Sequence, residues 1–503
     1  MSNLKELLVN ARNAFSSSSP AMTQASRPIR VMIIQPPTTG MVRSLLPQVE
    51  EGGEGIGYKP PLGILSVATL VKRRSDHVVK IIDAQAQRLS PEDLVAEAAA
   101  FQPDLVGISA WSDWWYPAYR VGELIKQALP QVHLTYGGPH VAIYPQETLD
   151  VPFVDSVVVG DGEVPFLFLC NLVANGVVDN GMPGLHFKAH GVKPAPDHIY
   201  IHADLDGLPY PDRTLLPVQA YGSVLSKGRY VTTMITSRGC PHRCTFCKLN
   251  FQKNLARSAA SVVEEFREIH ALGIGEVEIY DDTFTWGKAR LKEICEQLID
   301  ARLGVEWAVR DRVSKADPEM LALMHKAGCR RIHYGIESGV QRVVDRMRKQ
   351  ITLEQARAAV QAARQAGMTV LTYFMFGNLD ETVEDMRRTV EFALELDADY
   401  AEFSITIPYA GTEMYDEAMR LGLITEDYWR AYARHPTPDF LPPQLIENNA
   451  TLADMLAIRN DAVRRFYFRP RYIARELKNL ATFGEFVRKT RMGLRLLHSV
   501  YSR

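Results

Sequence analysis

Three of the chain's six cysteines fall on one short stretch, Cys240-Pro241-His242-Arg243-Cys244-Thr245-Phe246-Cys247. Thiolates are soft donors, suited to zinc and to iron–sulfur clusters. Three on one loop can converge on a single soft centre. Structural zinc takes four ligands, usually from C-x2-C pairs. No second pair is present, so a zinc loop would have to borrow a distant Cys295 or Cys329. A four-iron cluster is ordinarily held by four thiolates. A C-x3-C-x2-C run would leave one iron open to bind something else. Six cysteines are also too few for a disulfide framework in a chain of 503 residues.

Such a loop needs a scaffold, and the apolar pattern around it reads as one. From Tyr230 short apolar runs alternate with helical periodicity. Strands are expected at Val231–Thr236, Glu276–Tyr280, Val305–Val309, Arg331–Ile336, Thr369–Met375 and Tyr400–Ile405. Helices are expected at Ala259–Leu272, Ala289–Leu303, Pro318–Ala327, Leu353–Ala366 and Thr382–Leu396. Gly273 and Gly367 stand where two of these helices should stop. Six βα units fall short of the eight of a full barrel, so a partial (β/α)6 barrel is expected over residues 228–430. The cysteine run follows the first barrel strand directly, at the C-terminal end where catalytic loops sit in this architecture.

Ahead of the barrel, residues 28–190 carry a separate alternation. Val31–Ile34, Val78–Ile82, Leu105–Ile108, Val132–Tyr136 and Ser156–Val159 read as buried parallel strands. Leu62–Val71, Leu94–Ala100 and Val121–Ala128 read as the helices between them. This is the pattern of a doubly wound, Rossmann-like sheet, and the fold class is α/β. Residues 1–27 read as a flexible leader. Residues 191–227 read as a proline-rich linker with Leu208-Pro209-Tyr210-Pro211 extended, and 431–503 as a helical C-terminal region.

The cysteine spacing, Phe246 and the position after a barrel strand together resemble the radical S-adenosylmethionine (SAM) superfamily. The resemblance implies a [4Fe-4S] cluster on Cys240, Cys244 and Cys247, whose open iron binds the amino and carboxylate groups of SAM. An electron from the cluster would then cleave SAM to methionine and a 5′-deoxyadenosyl radical. The likeness extends along the barrel. Tyr280-Asp281-Asp282 ends the second strand, where the SAM amino group is contacted in this family. Arg310 follows the third. Gly335-Ile336-Glu337-Ser338-Gly339 ends the fourth, where ribose and methionine contacts are expected. The implied SAM contacts are Phe246, Tyr280, Asp281, Asp282, Arg310, Glu337 and Ser338. The fifth strand end departs from the family's Gly-x-Pro-Gly-Glu-Thr: Leu379 replaces the proline and Asp380 the second glycine.

The first domain is similar to cobalamin-binding domains. Asp83-Ala84-Gln85, Ser109-Ala110-Trp111, Gly137-Gly138-Pro139-His140 and Gly160-Asp161-Gly162-Glu163 all lie at strand C-terminal ends, the ligand edge of an open α/β sheet. In the best-known group the second strand ends in Asp-x-His-x-x-Gly, and the histidine ligates cobalt. Here Gln85 stands at the histidine position, which implies cobalamin held without a histidine lower ligand. The expected cobalamin contacts are Gln85, Ser109, Trp111, Gly137, Gly138, Gly160, Gly162 and Glu163. Trp111, Trp114, Trp115 and Tyr116 are expected to form one loop covering a corrin face. His140 is expected to touch the nucleotide tail or solvent.

Composition narrows the partners. The chain has 57 basic and 59 acidic residues, a net charge of −2, and so no field that would draw nucleic acid. No apolar run is long enough to span a bilayer, and no secretory signal pattern opens the sequence; a cytoplasmic enzyme is expected. Arg459, Arg464, Arg465, Arg469, Arg471, Arg475 and Lys478 make the C-terminal region basic. It is expected to be a solvated helical cap on the barrel, with membrane-surface contact or attraction of an acidic substrate as alternatives. The resemblance implies a small-molecule substrate, an electron donor such as flavodoxin or ferredoxin, and C-methylation of an unactivated carbon. Ring formation or oxidation is the enzyme alternative. Anaerobic tetrapyrrole cyclases share the layout and a stretch like Arg469-Pro470-Arg471-Tyr472. A cobalamin-binding sensor is the alternative of another class.

Replacing Cys240, Cys244 or Cys247 by Ala should abolish cluster absorbance and all SAM cleavage. Replacing Cys170, Cys295 or Cys329 should spare both. Iron loss of equal size in Cys295→Ala would overturn this ligand set.

Overall fold

The computed structural model describes residues 24–42, 57–179, 181–223, 225–226, 230–248, 253–440 and 446–478, with positions 487, 490, 493 and 494 beyond them. Most of the expected leader, and the tail past 478 apart from those four positions, lie outside the described residues. Residues 24–27 are tied to the first domain. The Ser26 backbone N–H donates to Asn175 Oδ1 at 2.6 Å, and Arg27 pairs with Asp104 at 2.8 Å.

The first domain begins with β1 (Arg30–Gln35), α1 (Leu62–Arg74), β2 (Val78–Asp83), α2 (Ala84–Gln87) and α3 (Pro91–Phe101). It continues with β3 (Leu105–Ser109), α4 (Trp115–Ala128), β4 (His133–Gly137), α5 (Pro139–Ile143), α6 (Pro145–Asp150), β5 (Ser156–Val158), α7 (Glu163–Asn175) and β6 (Leu185–Phe187). The strand order is β2-β1-β3-β4-β5-β6, parallel apart from the antiparallel edge strand β6. The winding reverses between β1 and β3, so their C-terminal ends open a crevice. Helix starts follow local chemistry. Ser90 and Asp93 form a capping box at α3, and Pro91 stands where a missing N–H costs nothing.

The second sheet runs β14-β13-β12-β11-β10-β7, all parallel. Its strands are β7 (Val231–Met234), β10 (Glu276–Ile279), β11 (Glu306–Asp311), β12 (Cys329–Glu337), β13 (Thr369–Phe376) and β14 (Tyr400–Ile405). A small hairpin, β8 (Ser237–Arg238) with β9 (Leu255–Ala256), brackets the cysteine run. The helices are α8 (Ala259–Ala271), α9 (Lys288–Ala301), α10 (Pro318–Lys326), α11 (Gln341–Arg346), α12 (Leu353–Gln365) and α13 (Val383–Leu396). Capping boxes Thr352/Gln355 and Thr382/Asp385 start α12 and α13. This is the partial six-stranded barrel read from the sequence.

Packing corrects the sequence reading in three places. Trp115 does not belong to an open loop: it starts α4, is fully buried, and donates its indole N–H to Ala433 O at 3.0 Å. Helices α14 (Glu413–Arg420) and α15 (Tyr428–Arg434), which straddle the expected end of the barrel span at 430, bury Met414, Tyr415, Trp429 and Tyr432 against the first domain's core. His140 does not face solvent. It is 1% exposed, stacks on Trp115 at 4.3 Å, and burial drives its pKa down to about 3.

The C-terminal region packs more tightly than a solvated cap. Helix α16 (Leu452–Tyr467) buries Met455, Ile458, Ala462, Val463 and Phe466 in the barrel's core, and α17 (Pro470–Lys478) follows it. Tyr467 Oη accepts from Ala401 N and donates to Ala401 O, which closes the free edge of β14. At the opposite edge, Thr233 of β7 donates to Pro60 O at 3.1 Å and Val231 N to Tyr221 O at 3.4 Å.

Helix α4 reaches the sheet closely because residue 122 is glycine. A Cβ there would lie 1.9 Å from the Tyr136 hydroxyl, which donates to Ala118 O. Gly122→Ala is expected to cost about 1–3 kcal/mol through overpacking, measured by urea unfolding. Adding Tyr136→Phe, which removes the nearest clashing atom, should recover part of that loss. A double variant no more stable than Gly122→Ala would refute the contact.

Candidate active site

The cysteine loop is held by backbone and carboxylates before any cluster is considered. Asp281, at the end of β10, is buried and accepts from Thr236 N (2.6 Å), Thr236 Oγ1 (2.5 Å) and Ser237 Oγ (2.7 Å). Its oxygens are occupied in fixing the start of the loop, so it is a support and not a free SAM contact. The exposed Asp282 accepts from Gly239 N at 2.8 Å, where Gly239 takes φ +86°. Farther along, Thr245 N donates to Met347 O at 3.0 Å and Met414 N to Thr245 O at 2.8 Å. The loop is therefore clasped from both sides.

The three thiols differ in setting. Cys240 is buried, with Sγ 3.4 Å from Thr283 Oγ1. Cys244 is half-buried and receives Arg312 Nη1 at 3.5 Å. Cys247 lies at the exposed lip. Desolvation by the surrounding protein, then the charges of Cys244, Asp282 and Cys240, push its thiol up to about 11. The three thus share one electrostatic neighbourhood. Among the described residues no group of three His, Cys, Asp or Glu side chains is gathered for a single metal ion. A four-iron cube takes one thiolate per iron and tolerates that spread. The thiolate set and the adjacent Arg312 fit an anionic cluster.

Around the loop stand the other expected SAM residues. Phe246 is half-buried, with Lys349 Nζ 5.4 Å from its ring centre. Lys349 is itself buried and pairs with Glu337 at 2.5 Å. Glu337 sits at a β-bulge with φ +73°, a conformation that costs a non-glycine residue on the order of 1–2 kcal/mol. Gly335 makes room for it: a Cβ there would meet Glu337 Oε1 at 2.5 Å and Lys349 Nζ at 2.8 Å. Ser338 corrects the expectation. It is fully buried, 3.1 Å from Thr389 Oγ1, and accepts from Val340 N, so it braces the bend and does not face the mouth. Arg310 lies within β11, not after it, with its guanidinium 4.0 Å over the Tyr280 ring.

The first domain's crevice holds a cavity of about 440 Å³. Gln85, Ser109, Trp111, Gly137, Gly138, Gly160 and Gly162 line it, as the sequence implied. Gly138 (φ +102°) and Gly160 (φ +97°) are turns a side chain could not make: a Cβ would lie 2.8 Å from Ala110 O and 2.1 Å from Tyr200 O. Gln85 donates through Nε2 to Pro36 O at 3.1 Å, and Asp83 caps α2 through Gln85 N and Ala86 N. Trp114 also lines the cavity, and its indole N–H is buried with no partner among the described residues. A bound polar group would satisfy it, so the cavity fits a large ligand with polar edges. Glu163 is the exception: it is absent from this wall and is spent on an ion pair.

That ion pair joins the two sites. Arg238, two residues before Cys240, donates to Glu163 Oε1 at 2.6 Å and lies 3.2 Å from Asp161 Oδ1. Burial alone would raise the Glu163 carboxyl; the Arg238 charge and hydrogen bond outweigh it and hold it below its usual value. Two further residues bridge the domains. Tyr280, from the barrel, lines the first domain's cavity. Lys59, from the first domain, lines that cavity too and reaches Glu278 of β10 at 3.3 Å. Sequence reasoning missed Lys59 because it sits in an irregular segment; only the Pro60-Pro61 helix start beside it was visible.

A doubly wound sheet whose crevice opens on a three-cysteine partial barrel defines a multi-cofactor radical enzyme. Residues 234–393 match the Radical SAM superfamily and residues 56–169 the B12 binding domain. An uncharacterized methyltransferase of Pyrococcus horikoshii is 33% identical over 455 residues, 89% of this chain and 95% of that protein. The anaerobic magnesium-protoporphyrin IX monomethyl ester cyclase of Rubrivivax gelatinosus is 29% identical, over 74% of this chain and 68% of its own. The fold also matches the radical SAM methyltransferase TsrM of Kitasatospora setae, solved with cobalamin and a [4Fe-4S] cluster. The TM-score is 0.64 at 19% identity, over 78% of each chain. The chain belongs to the radical SAM superfamily, in the group with an N-terminal B12-binding domain. It is a radical SAM enzyme whose cofactors are a [4Fe-4S] cluster, SAM and cobalamin.

Arg238→Gln would leave the buried Glu163 and the half-buried Asp161 without their cation, at a cost of about 3–5 kcal/mol. Unpaired, both carboxyls would have folded pKa values above their unfolded ones, so the variant's stability falls as pH rises. The gap to wild type in thermal melts should therefore widen from pH 5 to pH 8. Equal melting temperatures at both pH values would refute the role.

Proposed function

We propose that this enzyme transfers a methyl group to an unactivated carbon of a small-molecule biosynthetic intermediate. The observation that carries the reading is the shared wall: Tyr280 of the barrel lines the cavity formed by the first domain's strand ends. Reacting groups must approach to about 3–3.5 Å, so the donor and the site of radical generation have to share one space. When bound, the cluster supplies the electron that cleaves SAM, and cobalamin carries the methyl group.

In this reading Cys240, Cys244 and Cys247 hold the cluster. Glu337, Asp282, Tyr280 and Phe246 surround SAM, with Asp281 and Ser338 fixing the turns that present them. The glycine turns at 137–138 and 160–162 let cobalamin approach the backbone, and Trp111 and Trp114 cover it. Gln85 is engaged with Pro36 O and offers cobalt no imidazole. The chain's own work is positioning and exclusion of water. Flavodoxin or ferredoxin supplies the electron, and the cytoplasm is the setting. Among the described residues no helix is long and apolar enough to cross a membrane. Helix α17 exposes Ile473 and Leu477 beside Arg471 and Lys478, a face suited to peripheral membrane contact.

The cyclase relative favours a second reading, ring formation without methyl transfer. The two separate by product mass. A producing strain and its deletion mutant, fed methionine with a trideuterated methyl group, should differ by a metabolite carrying the intact label. A missing product that is unlabelled and poorer in hydrogen than its precursor would establish cyclisation in its place.

A further inference from the structure

We propose that Arg310 and Tyr373 form the substrate's anchor in the barrel lumen, and that the group they take is an anionic oxygen group, carboxylate or phosphoryl. The inference rests on the reading above, in which the lumen opens toward the cobalamin cavity, and it names the substrate class.

Two other cations of the lumen are matched. Arg331 reaches Glu276 and Glu278, both at 3.0 Å, and Lys59 reaches Glu278 at 3.3 Å. Among the described residues no carboxylate is ion-paired with Arg310, whose guanidinium rests on the Tyr280 ring. Glu278 and Glu402 lie within its field. Burial, the largest influence on Glu402, raises its pKa and so lessens its repulsion of an anion.

Hydrogen-bond polarity fixes the rest. Arg331 Nε is 2.9 Å from His333 Nε2. A guanidinium can only donate, so Nε2 accepts and a neutral ring must carry its proton on Nδ1. Burial agrees, holding His333 down at about 3. Nδ1–H then donates to Tyr373 Oη at 2.8 Å. The Arg310 guanidinium acts on the same phenol with its charge. The phenol oxygen accepts from His333, so its own O–H must donate elsewhere, and the described residues set no acceptor against it. Tyr373 is half-buried and shares the lumen face with its register partner Glu402. The free hydroxyl proton of Tyr373 and the N–H groups of Arg310, which has no carboxylate ion pair among the described residues, are thus available to one ligand. An oxygen bearing negative charge satisfies both. Because Arg310 stacks on Tyr280, a molecule held there lies one ring away from the cobalamin cavity.

The test uses reconstituted holoenzyme loaded with SAM, titrated calorimetrically with sodium phosphate and separately with sodium acetate. Saturable binding of at least one anion is expected in the wild type, weakened about tenfold in Arg310→Gln and several-fold in Tyr373→Phe. Iron and cobalt contents should be unchanged in both variants, and SAM affinity should be unchanged in Tyr373→Phe. Preference for phosphate would assign a phosphoryl group, and preference for acetate a carboxylate. Three outcomes would overturn the proposal: no saturable anion binding, binding equal in all three proteins, or a Tyr373→Phe protein that loses SAM affinity in its place. Tyr373→Phe removes one oxygen and keeps the test valid should Arg310→Gln fail to fold. Methyl transfer does not enter the measurement, so failure of the methylation reading is seen separately, as absence of label in the product.

Discussion

Arg238 stands two residues before the first cluster cysteine, and its guanidinium is shared between Asp161 and Glu163 on the turn that ends the first domain's fifth strand. A buried ion pair is weak support for net stability, because desolvation of both partners offsets most of the attraction. Its use here is positional. A one-residue slip of the hairpin Ser237–Arg238 against Leu255–Ala256 would leave the buried Glu163 without its cation and Asp161 and Arg238 half-buried and unmatched. The cysteine loop can therefore take one register relative to the cobalamin edge, and cooperation between the two sites depends on that register.

Other contacts extend the constraint. Lys59 leaves the first domain to meet Glu278 inside the barrel, and Gly222 N bonds to Tyr58 O beside it. The partial barrel's β7 edge is thus covered by segments of the first domain and the linker, while Tyr467 covers the β14 edge. An open six-stranded sheet would otherwise present two unpaired edges.

Much of this was legible in the sequence. Each barrel strand lies within a few residues of its expected position, because parallel strands buried on both faces read as continuous apolar runs closed by glycine and capping residues. The cysteine run, the glycine turns and Gln85 were visible for the same local reasons. What was hidden is tertiary. Asp281 and Ser338 carry the residue types of ligand contacts, yet their polar atoms are spent on Thr236, Ser237 and Thr389. Trp115 and His140 look like lid and ligand in a line of text, and only helices 413–434 folding back on the first domain explain their burial. No local pattern encodes a contact between residues 115 and 433.

The fifth strand end shows how a departure from a family pattern can be compensated by packing. Asp380 takes φ +62°, the left-handed conformation a glycine adopts freely, and Asp tolerates it at a cost on the order of 1 kcal/mol. Its carboxylate accepts from Arg346 Nε at 2.9 Å. Glu381 holds the turn from within, accepting from Gly377 N, Asn378 N and Asn378 Nδ2. Leu379, in the family's proline position, is 3% exposed in the apolar cluster that the first domain shares with helices 413–434. Burying a leucine side chain contributes roughly 1.5–3 kcal/mol, enough to offset the strained neighbour. The stiffness a proline would give the turn is thus exchanged for a contact between domains, at the same mouth that Arg238 holds in register.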